Sequence, residues 1–251
     1  MTVLKELIRE LPNEDFVYLG DTKRFPYGSK SKESIIELTK NGIEFLIHKG
    51  VKLVVIACGT ATSQALEEVK NLYDIPIIGV INPTVEYIKQ TDKRQIGVIA
   101  TAGTIRSKGW EKAILQEVES AEVQSIACPL LAPMVEEGWY DNKVAELAVQ
   151  EYLKSFKDID AIILGCTHYP LLTRIIKKQV GKQVEIVNIG EHVAKKVKSV
   201  LNVKNELNEN EKQKIDIYLT ETECKFNDVA SKLLGMDVKA KQVKEEIEFL
   251  S

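Results

Sequence analysis

No two of the four cysteines, Cys58, Cys128, Cys166 and Cys224, are spaced Cys-x-x-Cys, which argues against a zinc ribbon or a redox dithiol. A chain of 251 residues does not depend on disulfides for its core, so free thiols are expected. No apolar run approaches the ~20 residues that span a bilayer. The opening stretch, MTVLKELIRELPNEDF, lacks the apolar core and small-residue cleavage site of a secretory signal and reads as an amphipathic helix. Positive charge is not in excess either: 34 Lys and Arg face 37 Asp and Glu, a net charge of −3. A general nucleic-acid or anionic-membrane surface is therefore not expected. No GxGxxG or Walker pattern and no lysine in a pyridoxal-phosphate setting occurs, nor any low-complexity tract or heptad run. These absences point to a cytoplasmic protein acting on a small molecule, with no metal and no cofactor.

What is present is ordinary in amount and ordered in arrangement. The hydrophobic fraction is 44% and the charged fraction 28%, near the averages for a globular domain. Short apolar runs at 16–20, 53–57, 75–80, 95–100, 123–128, 161–165, 184–189 and 215–220 read as strands. Between most of them lie helix-length segments, such as 31–50 and 144–157, with apolar residues three and four apart. That alternation predicts an α/β fold: two similar domains with mostly parallel sheets and the active site in the cleft between them. Such sheets bind ligands beyond the carboxyl ends of their strands. Two apolar strands, LVVIA and AIILG, run into Cys58 and Cys166 at such ends.

A weak internal repeat supports the two-domain reading. In the second half, QIGVIATAGTIRSKGWEKAILQEV is a strand, a small-residue turn and a helix, and a strand ending in a cysteine follows. In the first half the helix TVLKELIRELP holds the corresponding place before Cys58, with no strand and turn ahead of it. Symmetry thus leads to the expectation that the first domain lacks its first strand, which would strip ladder hydrogen bonds and expose the neighbouring strand edges. Charged residues at 89–95 mark the boundary, and the last strand and helix return to the first domain. The expected division is 1–91 with 206–251, and 92–205.

A buried cysteine at a strand end can be a plain hydrophobe. Two of them at the ends where α/β sites form, each followed within two residues by threonine, suit a sharper task. One thiolate removes a proton from one face of a carbon while the opposite thiol donates to the other, as general acid–base chemistry allows. Abstraction beside a carboxylate builds an enolate-like dianion, which needs donors where charge develops. Thr60, Thr62, Thr167 and helix N-terminal N–H groups are placed to supply them, with His168 as a further donor or a modulator of Cys166; His168 also reads as a packed turn residue. The run YLGDTKRFPYGSKS can line a pocket with Asp21 or be a plain strand exit, and Glu136 and Glu137 can line the site or end a solvated helix. Cys128 and Cys224 read as inert, and His48 and His192 as solvated.

GCTHYPLL (165–172), YLGDTKRFPYGSKS (18–31), VVIACGTAT (54–62) and NEDFVYLGD (13–21), in this order and spacing, closely resemble the bacterial glutamate racemase family along the whole chain. The resemblance implies cofactor-independent interconversion of L- and D-glutamate, supplying D-glutamate for peptidoglycan, usually by a homodimer. It implies Cys58 and Cys166 as the two proton donors and acceptors, Cys58 serving the D- and Cys166 the L-enantiomer. It further implies Tyr27, Gly28, Gly59, Thr60, Thr167 and His168 as substrate-binding, with Asp21 and Glu136 in support. Two departures stand out. The family reads Cys-Asn-Thr where this chain has Cys58-Gly59-Thr60, and it opens with a strand and an Asp-Ser-Gly-x-Gly-Gly turn ahead of the first helix. The alternatives these leave open are an inactive or truncated racemase-like binding protein and a racemase of another small amino acid such as aspartate. A Cys–His hydrolase would leave the second cysteine-ended strand unexplained.

Overall fold

The computed structural model describes residues 1–209, 212–221 and 226–243; Cys224 lies outside them. The amphipathic opening segment forms α1 (Thr2–Glu10), burying Val3, Leu4 and Leu7. It is followed by β1 (Phe16–Gly20), α2 (Lys32–His48), β2 (Val54–Ile56), α3 (Gly59–Val69), β3 (Ile77–Gly79) and α4 (Ile81–Lys89). The next run is β4 (Gln95–Ala100), α5 (Ala102–Ser107), α6 (Gly109–Glu117), β5 (Glu122–Ala127), α7 (Leu131–Glu136) and α8 (Lys143–Leu153). The chain continues through β6 (Ala161–Leu164), α9 (Thr173–Val180), β7 (Glu185–Val187), α10 (Ile189–Val203), β8 (Ile215–Leu219), α11 (Phe226–Leu234) and β9 (Lys241–Gln242). Helix starts follow local chemistry. Ser31 Oγ accepts the Ser34 N–H at 3.2 Å to start α2, and Asn142 Oδ1 accepts the Ala145 N–H at 2.9 Å to start α8.

Every strand pair among the described residues is parallel. One sheet has the order β5-β4-β6-β7. Its central strands are apolar nearly throughout: all of β6 and five of the six residues of β4 are buried, as parallel strands covered by helices on both faces must be. The other strands form two separate groups, β1-β8-β9 and β2-β3. The order of elements equates β1, β2 and β3 with β5, β6 and β7. The place that β4 holds between β5 and β6 has no strand between β1 and β2 among the described residues, and the sheet there is open.

One apolar cluster ties the halves together: Val3 and Leu7 of α1 meet Val193, Val197 and Leu201 of α10, and continue through Val85 and Ile88 to Ile96 and Val98 of β4. A second lies behind Cys166, and a third joins α2, α3 and β2. His192, expected in solvent, stacks on Tyr87 with ring centroids 3.8 Å apart, because α10 packs onto α4.

Candidate active site

Both cysteines stand where parallel strands end and turn. Cys58 follows β2 and occupies the N-cap of α3; Cys166 follows β6 and Gly165. A cavity of about 1120 Å³ holds both, together with Asp21, Tyr27, Gly28, Gly59, Thr60, Thr167 and His168. The strand ends of the two sheets therefore face each other across one cleft. Thr62 is the exception among the expected residues. Its hydroxyl donates to the Ile56 carbonyl at 3.0 Å and accepts the Val80 N–H at 3.3 Å. It ties β2 to the start of α4 and does not line the cavity.

Burial pushes the Cys58 thiol above its ordinary range, and the nearby charge of Cys166 adds to this, while the N–H groups of Ala61 and Thr60 at the start of α3 pull the other way. Burial wins, so Cys58 is a thiol at neutral pH. Cys166 has a different neighbour: its Sγ lies 3.6 Å from His168 Nδ1. Burial disfavours the His168 imidazolium, yet its hydrogen bonds to Cys166 and Glu136 outweigh that and raise it to about 9. Glu136, at the end of α7, is the Nε2 partner, and that bond holds its carboxyl below the usual range. An imidazolium donates from both nitrogens, so His168 bridges carboxylate and sulfur. Burial pushes Cys128 up to about 12, in keeping with an inert role.

The loop after β1 leans over this centre. Tyr27 donates to Asp21 Oδ2 at 2.5 Å, and Asp21 Oδ1 accepts from Arg24 Nε and Thr220 Oγ1, each at 2.9 Å. Asp21 thus fixes the loop rather than standing free. Phe25 stacks obliquely on His168 at 5.4 Å. Gly28 packs so closely on Thr101 and Gly103 that neither glycine has room for a Cβ. Gly59 is equally constrained: a Cβ there would fall well inside contact with the Gly165 carbonyl oxygen.

Several contributors escaped the sequence reading. Thr101 and Thr104 form a triangle of hydroxyls with Thr60, each pair 2.9 Å apart, across the cleft. Thr101 ends β4 as Cys58 ends β2, and that shared position was the available signal. The exposed Arg106, on the short α5, lines the cavity and offers a cation that no motif marked. Trp110 packs its Nε1 against Gly165, and that nitrogen has no hydrogen-bond partner among the described residues. Among the described residues, no cluster of three or more His, Cys, Asp or Glu side chains is arranged to hold a metal ion.

Comparison with known proteins finds relatives in sequence and in fold. Residues 4–197 match the model of the Asp/Glu/Hydantoin racemase family. The chain is 44% identical over 204 residues to glutamate racemase of Geobacter metallireducens, covering 80% of this chain and 76% of that one. It is 40% identical over 242 residues to the Bacillus cereus glutamate racemase, covering 95% and 90%. Among solved structures, glutamate racemase isoform RacE1 of Bacillus anthracis superposes with a TM-score of 0.92 at 38% identity, over 97% of this chain and 92% of that one. The Francisella tularensis enzyme in complex with D-glutamate gives 0.90 at 34%, over 98% and 93%.

Proposed function

The chain belongs to the Asp/Glu/Hydantoin racemase family and, within it, to the glutamate racemases, and from that premise we propose how its own residues perform the reaction. The activity is cofactor-independent interconversion of L- and D-glutamate, which supplies D-glutamate for peptidoglycan. Cys58 and Cys166 are the two bases, one on each face of the substrate Cα. In one direction the Cys166 thiolate takes the Cα proton and the C–H electron pair moves into the adjacent carboxylate, giving a planar enediolate. The Cys58 thiol then delivers its proton to the opposite face and is left as thiolate. The reverse direction exchanges the roles.

The observation that carries this reading is the unequal setting of two thiols in one cleft. Cys58 is held as a thiol by burial, so it is ready to donate, whereas the Cys166 sulfur has the His168 ring beside it, with Nδ1 at 3.6 Å. The N–H groups opening α3, the hydroxyls of Thr60 and Thr101, and Arg106 are the donors available to the substrate carboxylates. Tyr27, Gly28, Gly59 and Thr167 line the same space, and Asp21 and Glu136 hold Tyr27 and His168 in place.

The same reading divides the chain into 1–91 with 206–251, and 92–205, and makes it a cytoplasmic homodimer. No helix among the described residues is long and apolar enough to cross a membrane. The test is polarimetric turnover of L-glutamate, D-glutamate and L-aspartate. Inversion of both glutamate enantiomers, with kcat/KM well above that for aspartate, supports the reading. Preferential turnover of aspartate would overturn the substrate, and binding of glutamate without inversion would make the chain a racemase-like binding protein.

A further inference from the structure

The loop that leans over the cysteines is held from a part of the chain that the reaction does not otherwise use. Thr220 follows β8, is buried, and does not line the cavity. Its hydroxyl is engaged twice: it donates to Asp21 Oδ1 at 2.9 Å and accepts the Lys23 N–H at 3.0 Å. We propose that Thr220 is a positioning residue, fixing the substrate-facing loop 22–29 through Asp21. The inference rests on the reading that Tyr27 and Gly28 hold the substrate.

Three observations support it. First, the junction is reciprocal. Thr22 Oγ1 donates to the Glu221 carbonyl at 2.6 Å and accepts the Glu221 N–H at 3.0 Å. The Thr220 N–H extends the β1–β8 ladder to the Gly20 carbonyl at 3.0 Å. That backbone bond alone would close a parallel pair. The hydroxyl bonds are additional, and they tie the loop to the end of β8.

Second, the bond made by Thr220 is passed on towards the cleft. The same Asp21 Oδ1 accepts from Arg24 Nε at 2.9 Å, and Oδ2 accepts the Tyr27 hydroxyl at 2.5 Å. Burial and the Asp21 carboxylate push the Tyr27 phenol well above its ordinary range, so it remains the donor. With both oxygens engaged, the carboxylate is fixed in place, and so is the tyrosine it holds. Gly28 follows directly and has no room for a Cβ against Thr101. A shift of Tyr27 therefore moves the wall of the site beside the hydroxyls of Thr60, Thr101 and Thr104.

Third, the position calls for a hydroxyl. Valine has nearly the same shape but neither donates nor accepts, so it would leave Asp21 and the Lys23 N–H each short of a partner. Serine keeps both roles. Since loop 22–29 carries neither thiol, its displacement weakens binding and leaves proton transfer intact.

The test compares the 251-residue chain with Thr220→Val and Thr220→Ser, in polarimetric turnover of L- and D-glutamate and in amide hydrogen exchange read by NMR. Thr220→Val should raise KM for both enantiomers at least about threefold, with kcat changed by less than about twofold, the pattern of lost uniform binding. Thr220→Ser should hold KM within about twofold of the parent. The Phe25 and Lys30 amides, which bond to the Thr22 and Tyr27 carbonyls at 3.4 and 3.1 Å, should exchange faster in Thr220→Val alone. The Cys128 and Gly165 amides, which bond to β4, should keep their protection. Equal kinetics in the two variants, a fall in kcat with KM unchanged, or unaltered exchange at Phe25 and Lys30 would each overturn the proposal. So would faster exchange at all four amides or loss of the fold in Thr220→Val, which would make Thr220 a plain stabiliser. A parent chain that turns over neither enantiomer would overturn the racemase reading instead, and the exchange pattern would still decide whether Thr220 fixes the loop.

Discussion

Cys58 and Cys166 differ in what surrounds each sulfur, and the sharpest predictions rest on that difference. Cys58→Ala and Cys166→Ala should each lower racemisation by at least about 10²-fold, the usual worth of a positioned acid or base, with melting temperature little changed. Turnover retained in either variant would remove that thiol from the mechanism. His168 is linked to pH through its charged state. Its folded value of about 9 lies above its ordinary 6.5, so its contribution to stability is fully present below about 6.5 and is lost as pH rises through about 9. Glu136 is shifted the other way, so its share is present above its ordinary value of 4.5 and is lost as pH falls below it. An NMR titration should place the His168 midpoint near 9, and Glu136→Gln should lower it; an unchanged midpoint would show that Glu136 does not hold the imidazolium. Gly59 makes a packing prediction. Since a Cβ there meets the Gly165 carbonyl, Gly59→Ala should cost about 1–3 kcal/mol in denaturant unfolding.

The strands and helices carry their own test. Asn142 caps α8 and does not line the cavity, so Asn142→Ala should cost about 0.5–2 kcal/mol of stability and leave kcat unchanged. At this scale the sequence was readable wherever side chains alternate by rule. Eight apolar runs marked β1 to β8, because a strand covered by helices on both faces is apolar on both. The two-residue β9, with both residues exposed, carries no such signature. The cysteines were visible because each follows the end of an apolar strand in the chain. Thr104, Arg106 and Trp110 were not, since their approach to Thr60, the cavity and Gly165 depends on how α5 and α6 fold back over the cleft. Thr62 shared the local pattern of Thr60, yet two positions further along α3 the helix turns it towards β3 and the start of α4. Glu136 and His168, 32 residues apart, become partners only through the packing of α7 on the turn after Cys166.

Taken whole, the molecule is two parallel-sheet halves whose strand ends meet, and the site belongs to neither alone. Thr60 from one half meets Thr101 and Thr104 from the other, and each half supplies one thiol. Among the described residues, no strand pairs with both β1 and β2. The dimer is tested by sedimentation equilibrium, where a single species of twice the 28.2 kDa chain mass is expected and a monomer at micromolar concentration would contradict it. The central claim is that two thiols serve opposite faces of one carbon. Its most direct measurement is deuterium at Cα during the first turnovers of L-glutamate in heavy water. Two separate bases predict that the D-glutamate formed carries deuterium while the remaining L-glutamate carries almost none. Deuterium entering substrate and product equally, or a product that keeps the original proton, would mean that a single base serves both faces.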